Sequence, residues 1–203
     1  MPTTAELRRH VEALRACRLC PGVVPPPAVA EPVARPRILL VGQAPGPREQ
    51  ATGRLFAYTA GTRLFSWFES IGASEEEFRR RVWISAVIRC FPGRAPQGGD
   101  RVPAPDEIAN CHPWLERELA MLRPAVVIAV GSLAMQQFLP AAPLSERVGR
   151  GFRLRLGKSE LEVIPLPHPS GRSTWINVPE NAERLRAALR LLQRSAAWRA
   201  TFA

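Results

Sequence analysis

Arg37-Ile38-Leu39-Leu40-Val41-Gly42-Gln43-Ala44-Pro45-Gly46 is the stretch whose reading decides the fold. Its apolar residues follow one another without polar alternation and stop at a glycine. A strand with one wet face alternates, whereas an unbroken apolar run is buried on both faces, as in a parallel sheet covered by helices on each side. Gly42 permits a sharp exit from such a strand, and the Pro/Gly run beyond it stiffens a turn whose amides can face a ligand. No Gly-Lys-Ser/Thr follows, so the turn is not a Walker phosphate loop.

Outward from this stretch, residues 82–88, 125–130 and 161–166 read the same way. Helical spacing separates them at 62–71, 106–122 and 132–138, and a last helix is expected over 179–198. Residues 4–15 begin the chain as a helix with Thr4 as N-cap. Residues 152–156, followed by Gly157-Lys158-Ser159, suggest a hairpin into the last strand. The pattern predicts an α/β fold, a three-layer α/β/α sandwich around a central four-stranded, mainly parallel sheet. Residues 1–203 form one domain, in which 1–36 supply the first helix, a cysteine-bearing arm and a connector with six prolines between 21 and 36. In such folds ligands sit beyond the carboxyl ends of the strands, here residues 43–46, 89–93, 131–132 and 167–172.

The 203 residues carry a net charge of +10 and a pI near 11.1, and Lys158 is the only lysine. Clustered arginine gains affinity for polyanions by releasing counterions, so a nucleic acid is a natural partner, although arginine-rich composition alone has other origins. No apolar run is long enough to span a membrane, and Met1-Pro2-Thr3-Thr4 lacks the basic and apolar regions of a signal peptide, so a cytoplasmic setting is expected.

There are four cysteines: Cys17 and Cys20 in a C-x-x-C pair, and Cys90 and Cys111 far downstream. One four-thiolate site would use them all and pin three regions together. Ligand softness and spacing favour an iron–sulfur cluster; zinc is the alternative, and free or paired thiols are the remaining reading. His168 stands between Pro167 and Pro169, which hold it in one direction, as suits a donor to developing negative charge or a packed loop histidine. His10 on the first helix is expected to be solvated, and His112, beside Cys111, to lie behind the metal.

Taken in order, these pieces resemble the uracil-DNA glycosylase superfamily, in particular its iron–sulfur families four and five. The resemblance rests on Cys17-x-x-Cys20, Gly42-Gln43-Ala44-Pro45-Gly46, Thr52-Gly53-Arg54-Leu55-Phe56, Ala60-Gly61-Thr62-Arg63-Leu64, Val87-Ile88-Arg89-Cys90-Phe91-Pro92, Pro105-Asp106-Glu107-Ile108-Ala109-Asn110-Cys111, the 123–131 segment and His168-Pro169-Ser170. It implies a structural [4Fe-4S] cluster on Cys17, Cys20, Cys90 and Cys111, and monofunctional removal of uracil from single- or double-stranded DNA by a monomer. It further implies that Phe56 stacks on the flipped base and that Gly42, Gln43 and Ala44 surround the base edge. His168 would stabilise the leaving base, Ser170, Gly171 and Arg172 would enter or grip the duplex, and Arg94 and Arg101 would track phosphate.

Two departures qualify the resemblance. Family members usually carry an acid where this chain has Gln43, a neutral amide that cannot deprotonate water, which leaves Glu49 as the nearest carboxylate. They also commonly place Asn where Ala86 stands, so either Ser85, Asn177 or backbone takes over base reading or base selection is altered. No histidine lies between Phe91 and Asn110, which argues against covalent capture of DNA, and no lysine lies near the site for lyase chemistry. The alternatives are a same-fold glycosylase for deaminated purines (hypoxanthine or xanthine) and a non-catalytic iron–sulfur DNA-binding module.

Overall fold

The computed structural model describes residues 2–157, 159–171 and 173–202. Helix α1 (Thr4–Arg15) is capped by Thr3, not Thr4: the Thr3 hydroxyl accepts from the Glu6 N–H at 3.2 Å and the Glu6 carboxylate accepts from the Thr3 N–H at 2.7 Å. This reciprocal box needs a glutamate three residues on, which only Thr3 has. The chain continues through β1 (Ile38–Gly42), α2 (Pro47–Thr52), α3 (Thr59–Glu69), α4 (Glu75–Arg81), β2 (Trp83–Ala86), α5 (Pro105–Leu122) and β3 (Val126–Val130). It ends with α6 (Ser132–Gln136), α7 (Leu144–Arg147), β4 (Phe152–Leu156), β5 (Ser159–Leu166), a short 3-10 turn at Trp175–Asn177, α8 (Pro179–Arg194) and α9 (Ala196–Phe202).

The sheet runs β2-β1-β3-β5-β4, with the first four strands parallel and β4 antiparallel on the edge. The α/β sandwich is therefore as expected, but the sheet has five strands rather than four. In β4 the half-buried Phe152 and Leu154 alternate with arginines because only one face of this edge strand is covered. An edge strand gives no continuous apolar run. The expected last helix is also divided: the Ser195 hydroxyl donates to Leu192 O and accepts from the Trp198 N–H, ending α8 and opening α9.

Strands β1 and β3 are buried throughout. An aromatic cluster of Phe65, Phe68, Phe78, Trp198 and Phe202 ties α3, α4 and α9 together, with Phe68 and Phe78 stacked at 4.3 Å. Contrary to expectation, His10 is fully buried. It shares the inward stripe of α1 with Leu7, Val11 and Leu14, lies edge-on to Trp114, and has Nε2 3.4 Å from Glu118 Oε1. Glu118 also accepts from the Ser85 hydroxyl and from Arg89, both at 2.6 Å. Burial alone would raise the Glu118 carboxyl, but Arg89, His10 and Ser85 outweigh it and hold it below the ordinary carboxylate value. No helix among the described residues is long and apolar enough to cross a membrane.

Candidate active site

Strand order reverses between β1 and β3, and the crevice beyond the carboxyl ends at such a switch point is where doubly covered sheets bind ligands. A cavity of about 720 Å³ opens there. Its walls come from the loop after β1 with the first turn of α2 (Gln43 to Glu49), the start of α3, the loop after β2 (Pro92 to Arg101) and the turn after β5 (His168 and Ser170). The fourth expected loop acts from below. Gly131, at φ +88°, lies against His168, and a Cβ there would stand 3.3 Å from the imidazole Cδ2.

Phe56 is held in the pocket by an unusual backbone. Its φ of +53° is the left-handed region, which disfavours a bulky side chain by about 1–3 kcal/mol. Arg79 donates to the carbonyls of Leu55 and Phe56 at 2.9 and 2.7 Å, and Gly61 lets the Phe56 carbonyl approach α3 where any Cβ would collide. The ring consequently lies on Gly42 at the end of β1, and Gly42 is not among the residues that line the pocket.

The His168 ring is mostly enclosed. The Ser170 N–H donates to Nδ1 at 3.2 Å, which places the proton of the neutral imidazole on Nε2. Burial pulls the His168 pKa below its ordinary value, with Asp100 acting weakly the other way, so the ring is a neutral N–H donor at physiological pH. Arg63 of α3 donates to Ser170 O at 3.3 Å and fixes this turn.

Glu49 does line the pocket, but its two oxygens accept from the N–H groups of Gly46 at 2.7 Å and Ala57 at 3.1 Å. It thereby joins the loop after β1 to the backbone beside Phe56. Burial raises its carboxyl above the usual range against these donors. Asp100 and Tyr58 line the pocket although the sequence reading gave neither a role. Asp100 reaches across to the Gln43–Gly46 loop, its Oδ2 lying 3.3 Å from where a Gly46 Cβ would sit. Tyr58, the only tyrosine, is 47% exposed on the rim with the Arg48 guanidinium 3.9 Å above its ring. The signals were faint: a carboxylate closing a glycine-rich loop, and an aromatic at a helix start.

Other expected site residues are placed elsewhere. Ser85 is buried and spends its hydroxyl on Glu118, away from the pocket. Ala86 is buried beside Gly42 in the sheet register. Asn177 is exposed in the 3-10 turn and lines no part of the pocket. Arg101 borders the pocket, yet its guanidinium is committed to Pro92 O, Gly22 O and the Glu107 carboxylate at 2.7–3.3 Å, which makes it an internal brace rather than a free phosphate grip. Arg94 sits at the mouth, 3.4 Å from Asp100. Gly171 is exposed beside Ser170, and Arg172 lies outside the described residues.

Next to this pocket, Cys17, Cys20, Cys90 and Cys111 line a second cavity of about 190 Å³. Burial, then the neighbouring sulfurs of Cys111, Cys17 and Cys20, push the Cys90 thiol up to about 12. The arm carrying the first two is tied down by Val24 N–H to Phe91 O at 2.8 Å and Ala28 N–H to Arg89 O at 2.7 Å. Asn110 donates to the Cys20 sulfur at 3.7 Å, and the buried Arg89 lies close enough to Cys111 for each to stabilise the other's charge. His112 turns away from the sulfurs, toward Gln137 Oε1 at 3.3 Å and Glu116 Oε1 at 3.5 Å, so it does not back a metal as expected.

By themselves the fold and pocket define a class: an α/β/α protein whose aromatic-floored pocket suits a flat polar ring presented by a polyanion. Comparison then shows the family. The model of the uracil DNA glycosylase superfamily matches residues 30–193, and the chain belongs to that superfamily. A type-4 uracil-DNA glycosylase of Thermotoga maritima is 33% identical over 178 residues, covering 84% of this chain and 85% of the relative. A type-4 enzyme of Archaeoglobus fulgidus is 30% identical over 138 residues, covering 66% of this chain and 65% of its own length. A type-5 uracil-DNA glycosylase of Thermus thermophilus is 31% identical over 161 residues, with 64% and 70% covered.

Proposed function

We propose that the chain is a DNA repair enzyme that hydrolyses the N-glycosidic bond of deoxyuridine in DNA, releasing uracil and leaving an abasic site. One observation carries the chemistry. His168 is a neutral imidazole with its proton on Nε2, fixed at the wall of a pocket that also holds Phe56 and Gln43. As the glycosidic bond breaks, its electron pair moves onto the base. A preorganised N–H donor in an enclosed site stabilises that anion without reorganising.

The target nucleotide leaves the duplex and its base enters between Phe56 and the Gln43–Pro45 loop, because the reacting atom is inaccessible inside the stack. Phe56 stacks on the ring, Ala44 and the Gln43 backbone border its edge, and the Gln43 amide contacts the base or water. Arg94, Ser170 and Gly171 meet the strand at the mouth, and the chain's net charge of +10 draws in DNA. Tyr58, braced by Arg48, offers a face on which a neighbouring base stacks.

The four thiols fit an iron–sulfur cluster better than zinc. All four cysteines line one cavity of about 190 Å³, which offers room for a group larger than a single ion. The buried Arg89 cation, paired with Glu118, also lies beside Cys111 and eases the charge of that one thiolate. When bound, a [4Fe-4S] cluster supplies a clamp between the arm, the end of β2 and α5.

Incubation with a uracil-containing oligonucleotide followed by hot alkali should cleave the strand at uracil. Absence of cleavage on both single- and double-stranded substrates, with the thiol site loaded, overturns this reading. The buried Ala86 favours one further reading, a preference for deaminated purines, because it presents no amide to select a pyrimidine edge. Parallel turnover on uracil, hypoxanthine and xanthine substrates separates the two.

A further inference from the structure

Hydrolysis needs a group that orients the attacking water, and the pocket wall holds two carboxylates among the described residues, Glu49 and Asp100. Glu49 is already spent: each of its oxygens accepts a backbone N–H that shapes the pocket. Asp100 is not. Its Oδ1 lies 3.4 Å from Arg94 Nη1, and its Oδ2 has no hydrogen-bond donor among the described residues. That oxygen projects toward Gly46, across the mouth of the Gln43 loop.

The backbone that carries this carboxylate is tied down on both sides, while the side chain stays accessible. Asp100 forms a backbone bridge with Arg94, and the next residue, Arg101, is locked to Pro92, Gly22 and Glu107. It lies close enough to His168 and Glu49 for its charge to act on both. The pocket therefore has a neutral donor on one wall and an available anion on another.

We propose that Asp100 is the catalytic residue that orients the attacking water and accepts its proton, an inference that rests on the glycosylase reading. The water oxygen bonds to the sugar C1′ while the C1′–N bond breaks, and the bonding pair departs on the base, where the His168 Nε2–H meets it. The water proton passes to the Asp100 carboxylate and then to solvent, and the released base takes a proton from solvent. The same anion opposes the positive charge developing on the sugar. Glu49 instead keeps its two backbone partners throughout.

The test is single-turnover base release by Asp100→Asn and Asp100→Ala on whichever of uracil, hypoxanthine and xanthine the wild type accepts. General-base assistance is worth about 10²–10⁴-fold, so Asp100→Asn should slow release by that order while affinity for the oligonucleotide and melting temperature stay close to wild type. Formate should restore activity to Asp100→Ala, where it can enter the space, and not to the isosteric Asp100→Asn. Arg94→Gln removes the ion pair but keeps the carboxylate, and should lose far less rate than Asp100→Asn. A near-wild-type rate in Asp100→Asn, or a slow Asp100→Ala that formate fails to rescue, overturns the role of Asp100 and leaves the glycosylase reading standing. A wild type that releases none of the three bases overturns both.

Discussion

The ring of Phe56 rests so closely on Gly42 that a Cβ added to the glycine would stand 2.6 Å from Cζ and 3.0 Å from Cε2. No real Cβ tolerates that approach, so Gly42→Ala must push the ring off the pocket floor. Because Arg79 and Gly61 fix the Phe56 backbone, the ring moves by rotating, not by shifting the loop. Gly42→Ala should therefore lower base-release kcat/KM by about 10-fold or more, on the scale of one lost base-stacking contact of about 1–3 kcal/mol. A wild-type value would show that Phe56 does not hold the base.

His168 offers a spectroscopic test. Its folded pKa is lowered by burial from 6.5, so between the two values the unfolded chain binds a proton that the folded chain does not. Stability from this group is intact above about pH 6.5 and declines as pH falls toward the folded value. Nitrogen NMR should show protonated Nε2 and bare Nδ1 at pH 7, with a titration midpoint below 6.5. His168→Ala should cut release by about 10²–10³-fold while DNA binding persists. Equal losses in both would make the histidine a packing residue.

The sheet was legible because two-sided burial writes unbroken apolar runs, as in Ile38 to Val41. The one-sided strand β4 was legible as a hairpin arm over 152–156 but was not counted into the sheet, and α4 is too short for a periodic stripe. Helix α4 nevertheless carries a readable order, with Ser74 at its cap, Glu75, Glu76 and Glu77 in its first turn and Arg79, Arg80 and Arg81 in its last. The pocket was partly legible. Gln43, Phe56 and His168 occur in recognisable loops, and the fold brings them together. Asp100 and Tyr58 line the same pocket but left only faint signals in the sequence, and their meeting depends on tertiary placement. His10 was misread because a polar name hid its place on an apolar stripe.

Beneath the sheet, Glu118 and Arg89 form a buried ion pair at 2.6 Å. Removing one partner strands the other charge, which typically costs about 3–5 kcal/mol. Glu118→Ala should accordingly lower the melting temperature by roughly 6–20 °C. Since the folded carboxyl is held below 4.5, its contribution is present above that value and lost as pH falls through the folded pKa. Thermal melts from pH 7 to 3 should show a steeper acid loss in the wild type than in Glu118→Gln. Parallel curves would exclude this group as the source.

The last prediction couples the thiol cavity to the active-site loop. Arg101 joins the arm at Gly22, the loop at Pro92 and α5 at Glu107, while Cys17, Cys20, Cys90 and Cys111 close the same three segments a short way off. Anaerobically purified protein should contain about four irons and matching labile sulfide per chain, and Cys90→Ser should lose both. One zinc and no sulfide would reject the cluster. With the clamp gone, the proline-rich arm of 21–36 loses its covalent tie and should become open to limited proteolysis. Arg101→Gln, which spares every cysteine, should leave iron content near wild type yet weaken the arm by about 1–2 kcal/mol through its lost charged hydrogen bonds. It should also slow base release, because Asp100 is anchored by the same residue. Iron retained, arm protected and release unchanged in Arg101→Gln would show that the two cavities are independent.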